Sequence, residues 1–193
     1  RDIGFDDFFG YQQLTPTLLK SEQVKQAEEV AAKAIQALSL ASTSAHVELL
    51  QTADGFKVVE VAPRIGGFRH KLYWRSFGID HALNDILVRL PKKISLPKKI
   101  KGYSAAMKFF AKEEGRLQKL RGLKKIKTLK SFVELQLKKQ LGDRCYFAKN
   151  GDQSVFNLIM FNKNRSALLA DIRRAENLVK IVTAKTKAKP KAT

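Results

Sequence analysis

Residues 45–67 read AHVELLQTADGFKVVEVAPRIGG, and this stretch decides the fold. Apolar and polar residues alternate in 45–52 and again in 56–62, which is typical of half-buried strands. Between the two runs stands Ala53-Asp54-Gly55. Gly55 can adopt the positive φ that the last position of a three-residue hairpin loop requires. The stretch therefore predicts an antiparallel β-hairpin.

The predicted hairpin places two carboxylates opposite each other. With a three-residue loop, Thr52 faces Phe56, and Glu48 then lies directly across from Glu60 on the same face. Like charges at such positions cost roughly 0.2–1 kcal/mol, so we expect something to offset their repulsion. Mg²⁺ is a candidate because it binds one or two carboxylates together with phosphate oxygens. Arg64, four residues after Glu60, would add a fork-shaped donor for a phosphate or carboxylate.

Simpler interpretations of the same residues stay open. Two glutamates on one hairpin face are also what a solvated face contains, and another loop register would stagger them. Gly66-Gly67 is more often a turn than a phosphate-binding loop, and it does not match a P-loop.

On either side of the hairpin the sequence predicts a helix. Ser21 is a plausible N-cap for an amphipathic helix at residues 21–38. A second helix is expected after Gly78, capped by Asp80 and ending near Leu90. Residues 63–67 and the segment that follows them, including Arg69 and His70, are predicted to be a loop.

The rest of the chain predicts a small α+β subdomain behind a basic connector. The connector at 91–101 contains the near-repeat LPKKI-SLPKKI. We expect strands at residues 103–112, 132–139, 146–148 and 155–161, and helices at 123–129 and 166–179. The predicted domains are therefore 1–90, 91–101 and 102–182, followed by a disordered basic tail at 183–193.

Composition excludes several classes of protein. The 193 residues are 44% hydrophobic and 28% charged, which excludes global disorder. No apolar run is long enough to span a membrane, and no signal peptide opens the chain. The single cysteine, Cys145, excludes an internal disulfide framework and suits a reducing compartment, so we expect a cytoplasmic protein.

Charge is the unusual property of this chain. The formal net charge is +19, and it is unevenly distributed. Residues 1–80 contain 9 Lys and Arg against 10 Asp and Glu, whereas residues 81–193 contain 28 against 8. Such asymmetry indicates an anionic partner, and nucleic acid is one possibility.

Several motifs in residues 45–80 resemble one family in order and spacing. They are His46-Val47-Glu48-Leu49, Asp54-Gly55, the run from Val59 to Gly67, and Ser76-Phe77-Gly78-Ile79-Asp80. Together they resemble the C-terminal lobe of the ATP-grasp superfamily, in the carboxylate–amine ligase branch that includes amino-acid ligases and biotin-carboxylase-like proteins. The fold implied is α+β, an antiparallel sheet with helices, followed by a small α+β subdomain.

The resemblance implies a chemistry and assigns residues to it. Glu48 and Glu60 would hold Mg²⁺ or Mn²⁺ against the phosphates of ATP, and Arg64 would stabilise the transferred phosphate or an acyl-phosphate intermediate. Gly66 and Gly67 would let the backbone approach the acyl substrate. The substrates would be ATP, a small carboxylate and an amine acceptor, with positioning and charge neutralisation supplying most of the rate.

Two departures from the family pattern matter. Position 62 is alanine, where many members carry an asparagine that also binds the metal. The lobe that grips the ATP phosphates should precede Arg1, so we expect a fragment whose isolated chain lacks ligase activity. Turnover by the isolated chain, abolished by Glu48→Gln, would contradict that expectation.

Three further residues are candidate members of the site, and one is excluded. His46 alternates onto the face of Glu48, and Arg69 and His70 follow the glycines, so all three are possible substrate or metal contacts. Cys145 has no base beside it in the sequence and is rejected as a nucleophile.

The alternative function is a non-enzymatic basic module that binds nucleic acid or another acidic partner. Residues 92–139 carry 16 Lys and Arg and three Glu, interleaved with aromatic residues. That function needs neither Glu48 nor Glu60.

Overall fold

The fold is known from a computed structural model that describes residues 11–90, 92–97, 99–146 and 153–184. The described residues form two compact units. The hairpin unit is Thr15–Lys101, and the sheet unit combines residues 11–14 with residues from 102 onward. Both units mix helices with antiparallel strands, so the predicted α+β class is confirmed. Throughout the described ranges, no helix has the length and apolarity needed to cross a membrane.

The secondary structure alternates short strands and helices. In chain order the elements are β1 (Gln12–Thr15), α1 (Ser21–Ala37), β2 (His46–Thr52), β3 (Gly55–Ala62), α2 (Arg69–Phe77), α3 (His81–Arg89), β4 (Tyr103–Phe109), β5 (Gly115–Arg121), α4 (Leu123–Ile126), β6 (Phe132–Leu137), β7 (Arg144–Cys145), β8 (Phe156–Asn162), α5 (Arg165–Leu178) and β9 (Lys180–Ala184).

In the hairpin unit, α1 packs against both strands of the β2–β3 hairpin. The predicted helix at 21–38 is confirmed to within one residue. Its N-cap is Lys20 rather than Ser21, because the Lys20 backbone N–H donates to the side-chain oxygen of Gln23 at 3.0 Å. Ser21 is instead the first helical residue.

Residues 69–77 form helix α2, so the assignment of Arg69 and His70 to a loop was wrong, and the helix itself was not predicted. Leu72 and Ser76, one helical turn apart, are buried and hold this helix against the unit. Gly78 ends α2 in the left-handed conformation, with φ of 78°, as glycine commonly does after a helix. The segment was mistaken for a loop because its polar and aromatic residues obscure the helical period.

Helix α3 begins where the sequence predicts, since the Asp80 carboxylate accepts from the backbone N–H of Leu83 at 2.9 Å.

The basic connector at 91–101 differs from a free linker. Asn84 on α3 is buried, and its amide donates to the carbonyl of Ser95 at 2.7 Å and accepts from its N–H at 3.1 Å. The described part of 91–101 thus belongs to the hairpin unit rather than standing between two domains.

In the sheet unit, four strands form a sheet in the order β1-β4-β8-β6, in which β8 pairs antiparallel with both β4 and β6. Strand β4 pairs with β8 from Tyr103 opposite Asn162 to Phe109 opposite Phe156. The edge strand β1 comes from residues within the predicted first domain, 1–90, and was not itself predicted. Residues 11–14 therefore belong with residues 102 onward, and a strand this short leaves no readable period in the sequence.

The core of the sheet unit lies between this sheet and helix α5. The stacked rings of Phe109 and Phe156, with centroids 4.5 Å apart, form one end of it. Further fully buried side chains come from β4, β8 and α5: Met107, Leu158, Met160, Leu168, Ile172 and Ala175.

A second sheet, in the order β7-β5-β9, was only partly predicted. Strand β5 was missed because exposed Lys and Arg and a bulge between Leu117 and Lys119 interrupt its apolar alternation, and β9 because it lies at the boundary of the Lys-rich tail. Residues 183 and 184 lie in β9, so the assignment of a disordered tail from 183 was wrong there, and 185–193 lie outside the described residues. The strand expected at 146–148 is observed instead at Arg144–Cys145, and residues 147–148 are likewise outside the described part.

A buried carboxylate ties α5 to the start of β6. Asp171 is 3% exposed and accepts from the Ser131 hydroxyl at 2.7 Å, the Ser131 N–H at 3.0 Å and Arg174 at 2.7 Å. Burial acts to raise the pKa of Asp171, but the hydrogen bonds from Ser131 and Arg174 outweigh it, so the pKa is lowered from 3.8. The ionised form is therefore the one that stabilises the fold.

We predict that the stability supplied by Asp171 is present above the ordinary carboxyl pKa of 3.8 and is lost as the pH falls through the lowered value. At neutral pH, Asp171→Asn should lower the free energy of unfolding by about 1–3 kcal/mol. The deficit should shrink in acid, as followed by calorimetry between about pH 3 and 7. Asp143→Asn, at an exposed carboxylate of the same unit, is the control. A deficit for Asp171→Asn that does not change with pH would contradict this account.

Candidate functional site

The turn of the β2–β3 hairpin sets the position of Glu48 and Glu60. Thr52 pairs with Gly55, so the loop contains residues 53–54 only, one fewer than predicted. Gly55 has φ of 104°, the positive value expected of it. If this register continued unchanged, Glu48 would not lie opposite Glu60, and the two carboxylates would point to different faces.

A β-bulge corrects the register. Leu49 still pairs with Val58, but the next pair is Glu48 with Glu60, so Val59 is an extra residue in β3. Below the bulge the two glutamates are direct cross-strand partners, as the sequence predicts. The predicted pairing is thus observed, although the shorter loop and the bulge that produce it were not foreseen.

Three cationic or titratable side chains surround the glutamates. His46 Nε2 lies 2.9 Å from Glu48 Oε1, and a guanidinium nitrogen of Arg69 lies 3.7 Å from the same oxygen. A guanidinium nitrogen of Arg64 lies 3.6 Å from Glu60 Oε1. Each carboxylate therefore has an arginine of its own, supplied by the loop after β3 or by the first residue of α2.

These ion pairs offer an explanation for the glutamate pairing other than the metal ion that the sequence suggested. The arginines offset the repulsion between the glutamates, so the cross-strand pairing does not by itself require a metal ion. The pairs are weak, because their distances are long and the side chains of Glu48 and Glu60 are 45% and 51% exposed. Both carboxylates and both guanidinium groups can consequently exchange these contacts for a ligand at small cost.

The two glycines of the loop differ in their surroundings. A Cβ at Gly66 would lie 2.8 Å from the His46 ring and 3.1 Å from the Arg69 side chain. A Cβ at Gly67 would meet only Arg69, at an ordinary 3.6 Å. The close packing of the His46 ring thus accounts for a glycine at position 66. At position 67 the neighbouring atoms would accommodate a side chain, so packing does not account for the glycine there.

His70 is directed away from the carboxylates. Its Nδ1 lies 3.0 Å from the carbonyl oxygen of Gly67. Burial lowers the pKa of His81, and His70 is close enough to lower it further, while Asp85 acts in the opposite direction. Of the three possible site residues, the structure brings His46 and Arg69 to Glu48 and places His70 beside His81.

The donor set suits a hard cation that takes few protein ligands. Glu48 and Glu60 offer carboxylate oxygens on one face, and no group of three or more metal-binding side chains occurs among the described residues. Two carboxylates with space for phosphate oxygens fit Mg²⁺ or Mn²⁺, but they do not form a closed zinc site. Ala62, which cannot bind metal, pairs with His46 across the hairpin.

Cys145 takes no part in this arrangement. Its side chain is fully buried, and burial raises the pKa of the thiol. A buried neutral thiol is a poor nucleophile, in agreement with its rejection from the sequence.

Arg69 was the residue whose role the sequence could least define. Its contact with Glu48 depends on α2 beginning at residue 69, directly after the glycine loop. The signal available was Gly78, a helix-ending glycine that implies a helix before it.

The comparisons with known proteins give a match in structure and none in sequence. No protein-family model matches the chain, and no curated protein sequence matches it. Among solved structures, the L-amino acid ligase from Bacillus licheniformis matches with a TM-score of 0.80 at 19% identity, covering 92% of this chain. Phosphoribosylglycinamide synthetase from Anaerococcus prevotii matches with a TM-score of 0.72 at 16% identity, covering 90%.

A third match is N5-carboxyaminoimidazole ribonucleotide synthetase from Thermotoga maritima, with a TM-score of 0.65 at 16% identity over 90% of this chain. The chain spans only 45%, 45% and 46% of the lengths of these three proteins. The matches extend over both units and agree with the resemblance carried by residues 45–80. In fold, the chain is therefore similar to part of each of these three proteins.

Proposed function

We propose that the chain is the C-terminal part of an ATP-dependent ligase that joins a small carboxylate to an amine. The observation that carries the proposal is the pairing of Glu48 with Glu60, each with an arginine within 4 Å. Two carboxylates that could hold a metal ion thus lie beside two guanidinium groups that could bind phosphate, and all four side chains are partly exposed. The ATP-grasp fold supports the proposal, and the lobe that would complete the ATP site lies outside this chain.

In this proposal Glu48 and Glu60 hold Mg²⁺ or Mn²⁺ at the phosphates of ATP. The bound ion would neutralise charge on the phosphoryl group during transfer. His46 is a positioning residue for Glu48. Its ring is only 14% exposed and is held beside Gly66, so a proton on Nε2 donates to Glu48 and fixes the direction of that carboxylate.

The arginines serve different purposes. Arg64 is 60% exposed and lies at the long distance of 3.6 Å from Glu60, so its guanidinium can turn to a phosphate and bind it through two nitrogens. Arg69 is more enclosed, at 26% exposed, and is anchored at the start of α2. We therefore assign phosphate binding to Arg64. Arg69 would stay beside Glu48 and continue to neutralise its charge when Arg64 moves.

The proposed reaction has two steps. A carboxylate oxygen of the substrate attacks the γ-phosphorus of ATP, the bond to ADP breaks, and an acyl phosphate forms. The amine nitrogen then attacks the acyl carbon and loses a proton, and phosphate leaves. Gly67 lies next to the arginines and has no side chain, so its backbone can approach the acyl group closely.

We predict that Glu48→Gln and Glu60→Gln each reduce turnover of MgATP in the full-length protein by roughly 100-fold or more. The estimate exceeds the 10–100-fold loss typical of groups that only support a metal ligand. Carboxylate-dependent release of ADP is the measurement. Asp54→Asn, at the tip of the same hairpin, removes one negative charge and retains a good turn residue, so its turnover should be unchanged.

Wild-type turnover by either glutamine variant would refute the metal-binding role. If Asp54→Asn lost as much turnover, the hairpin would be sensitive to any change of charge. That result would also refute the metal-binding role.

A further prediction separates the two glycines. Gly67→Ala should leave thermal stability unchanged, because the new methyl group meets only Arg69 at 3.6 Å, yet lower kcat/KM for the carboxylate by roughly tenfold or more. Gly66→Ala should lower stability itself, because the methyl group would collide with His46. Steady-state kinetics and thermal unfolding of both variants test this, and unchanged kinetics in Gly67→Ala would remove that glycine from the substrate site.

A further inference from the structure

The outer face of the second sheet, β7-β5-β9, is a second candidate surface. Leu117, Leu120 and Ile181 point to the core, so the alternate residues of these strands point outward. The outward set contains five exposed cations, which we call the basic face: Arg116, Lys119, Arg121, Arg144 and Lys180.

Like charges are paired across the strands of the basic face. Arg116 lies opposite Arg144, and Arg121 lies opposite Lys180. Such pairs destabilise a sheet, as the glutamate pair does. Here, however, the described residues of the face include no carboxylate to offset the repulsion. The residue just before β7 is the acid Asp143, whose carboxylate accepts from the backbone N–H of Gln140 at 2.7 Å.

The dimensions of the basic face suit an extended polyanion. From Arg116 to Arg121 the central strand extends about 15 Å, and the three strands add a width of about 10 Å. A single small anion would reach two of the five cations, whereas a chain of phosphates would reach all of them. Arg116 is already held in place by donating to the carbonyl of Gly142 at 2.9 Å.

Beside the basic face lie a partly apolar groove and, separately, an exposed aromatic ring. A cavity of about 370 Å³ lies between β5 and residues 137–141, lined among others by Lys119, Lys139 and the exposed Leu141. At the β7 edge, Tyr146 is 39% exposed and carries the guanidinium of Arg144 on its ring, 5.0 Å from the centroid. An exposed aromatic ring with a stacked arginine is a surface on which nucleic-acid bases stack.

We propose that the basic face binds single-stranded nucleic acid without sequence preference. The cations would contact phosphates, and Tyr146 with the adjoining groove would contact bases. The carboxylates of an acidic protein segment would neutralise the cations, but they would not account for the exposed ring and the groove. The inference is independent of the proposed ligase function, because it involves the sheet unit and neither Glu48 nor Glu60.

The test is fluorescence anisotropy of the whole protein with labelled oligouridylate and oligothymidylate of about 20 nucleotides. If five phosphates are contacted, log K should fall with log salt at a slope of about −3.5. Replacing Lys119, Arg121, Arg144 and Lys180 by Gln should reduce that slope by about 2.8 and weaken binding at least about tenfold. The matched control replaces four exposed cations outside the face by Gln: Lys25, Lys33, Lys163 and Arg173.

Tyr146 supplies the second arm. Tyr146→Leu should weaken binding about tenfold, and Tyr146→Phe should bind as the wild type does, because only the latter keeps an aromatic ring. Binding of one probe over the other would identify RNA or DNA as the ligand. Thermal unfolding of each variant, followed by circular dichroism, serves as a check that it is folded.

Three results would overturn the proposal. They are absence of binding to both probes, an equal loss in the matched control, and binding of polyglutamate as tight as that of the oligonucleotides together with no effect of Tyr146→Leu. The last result would assign the face to an acidic protein.

Discussion

The register of one hairpin is the constraint on which the candidate site depends. A two-residue turn alone would turn Glu48 and Glu60 to opposite faces, because side chains alternate along a strand. The bulge at Val59 adds one residue and returns both carboxylates to one face. Everything else in the site is placed relative to this pair: the arginine after β3, the glycine loop and the first turn of α2.

The site is electrostatically balanced but loosely held. Its carboxylates and guanidinium groups pair at 3.6–3.7 Å and are partly exposed, so the pairs contribute little to stability. Only His46 is fixed, between Glu48 and the space left by Gly66. This combination of one rigid positioning residue and several exchangeable ion pairs is suited to binding a charged ligand, because little stability is lost when the ligand replaces the internal contacts.

The two units divide the charge of the protein as well as its fold. The candidate carboxylate site lies in the hairpin unit, which has 14 Lys and Arg against 8 Asp and Glu, and the larger part of the excess of Lys and Arg lies in the sheet unit, with 23 against 10. There the packed core is apolar and conventional, and Asp171, the one buried acid among the residues that the structure describes in this unit, is paired with Ser131 and Arg174. The cations are consequently left on surfaces such as the outer face of β7-β5-β9, where they remain available to a partner.

The sequence by itself determined the hairpin, the two flanking helices 21–37 and 81–89, and the elements β4, β6, β8 and α5, because these depend on local periodicity, caps and spacing. It also singled out Glu48, Glu60 and Arg64 as candidate site residues, although the bulge that brings the two glutamates opposite each other left no pattern in the sequence. Other features were decided by tertiary structure alone. Strand β1 exists because β4 offers it an edge, and β9 because β5 does, so neither is visible in its own residues. Likewise Arg69 reaches Glu48 only because α2 packs where it does. Contacts between residues distant in sequence leave no local pattern in the sequence. Such contacts surround the pair of glutamates with the other residues of the candidate site.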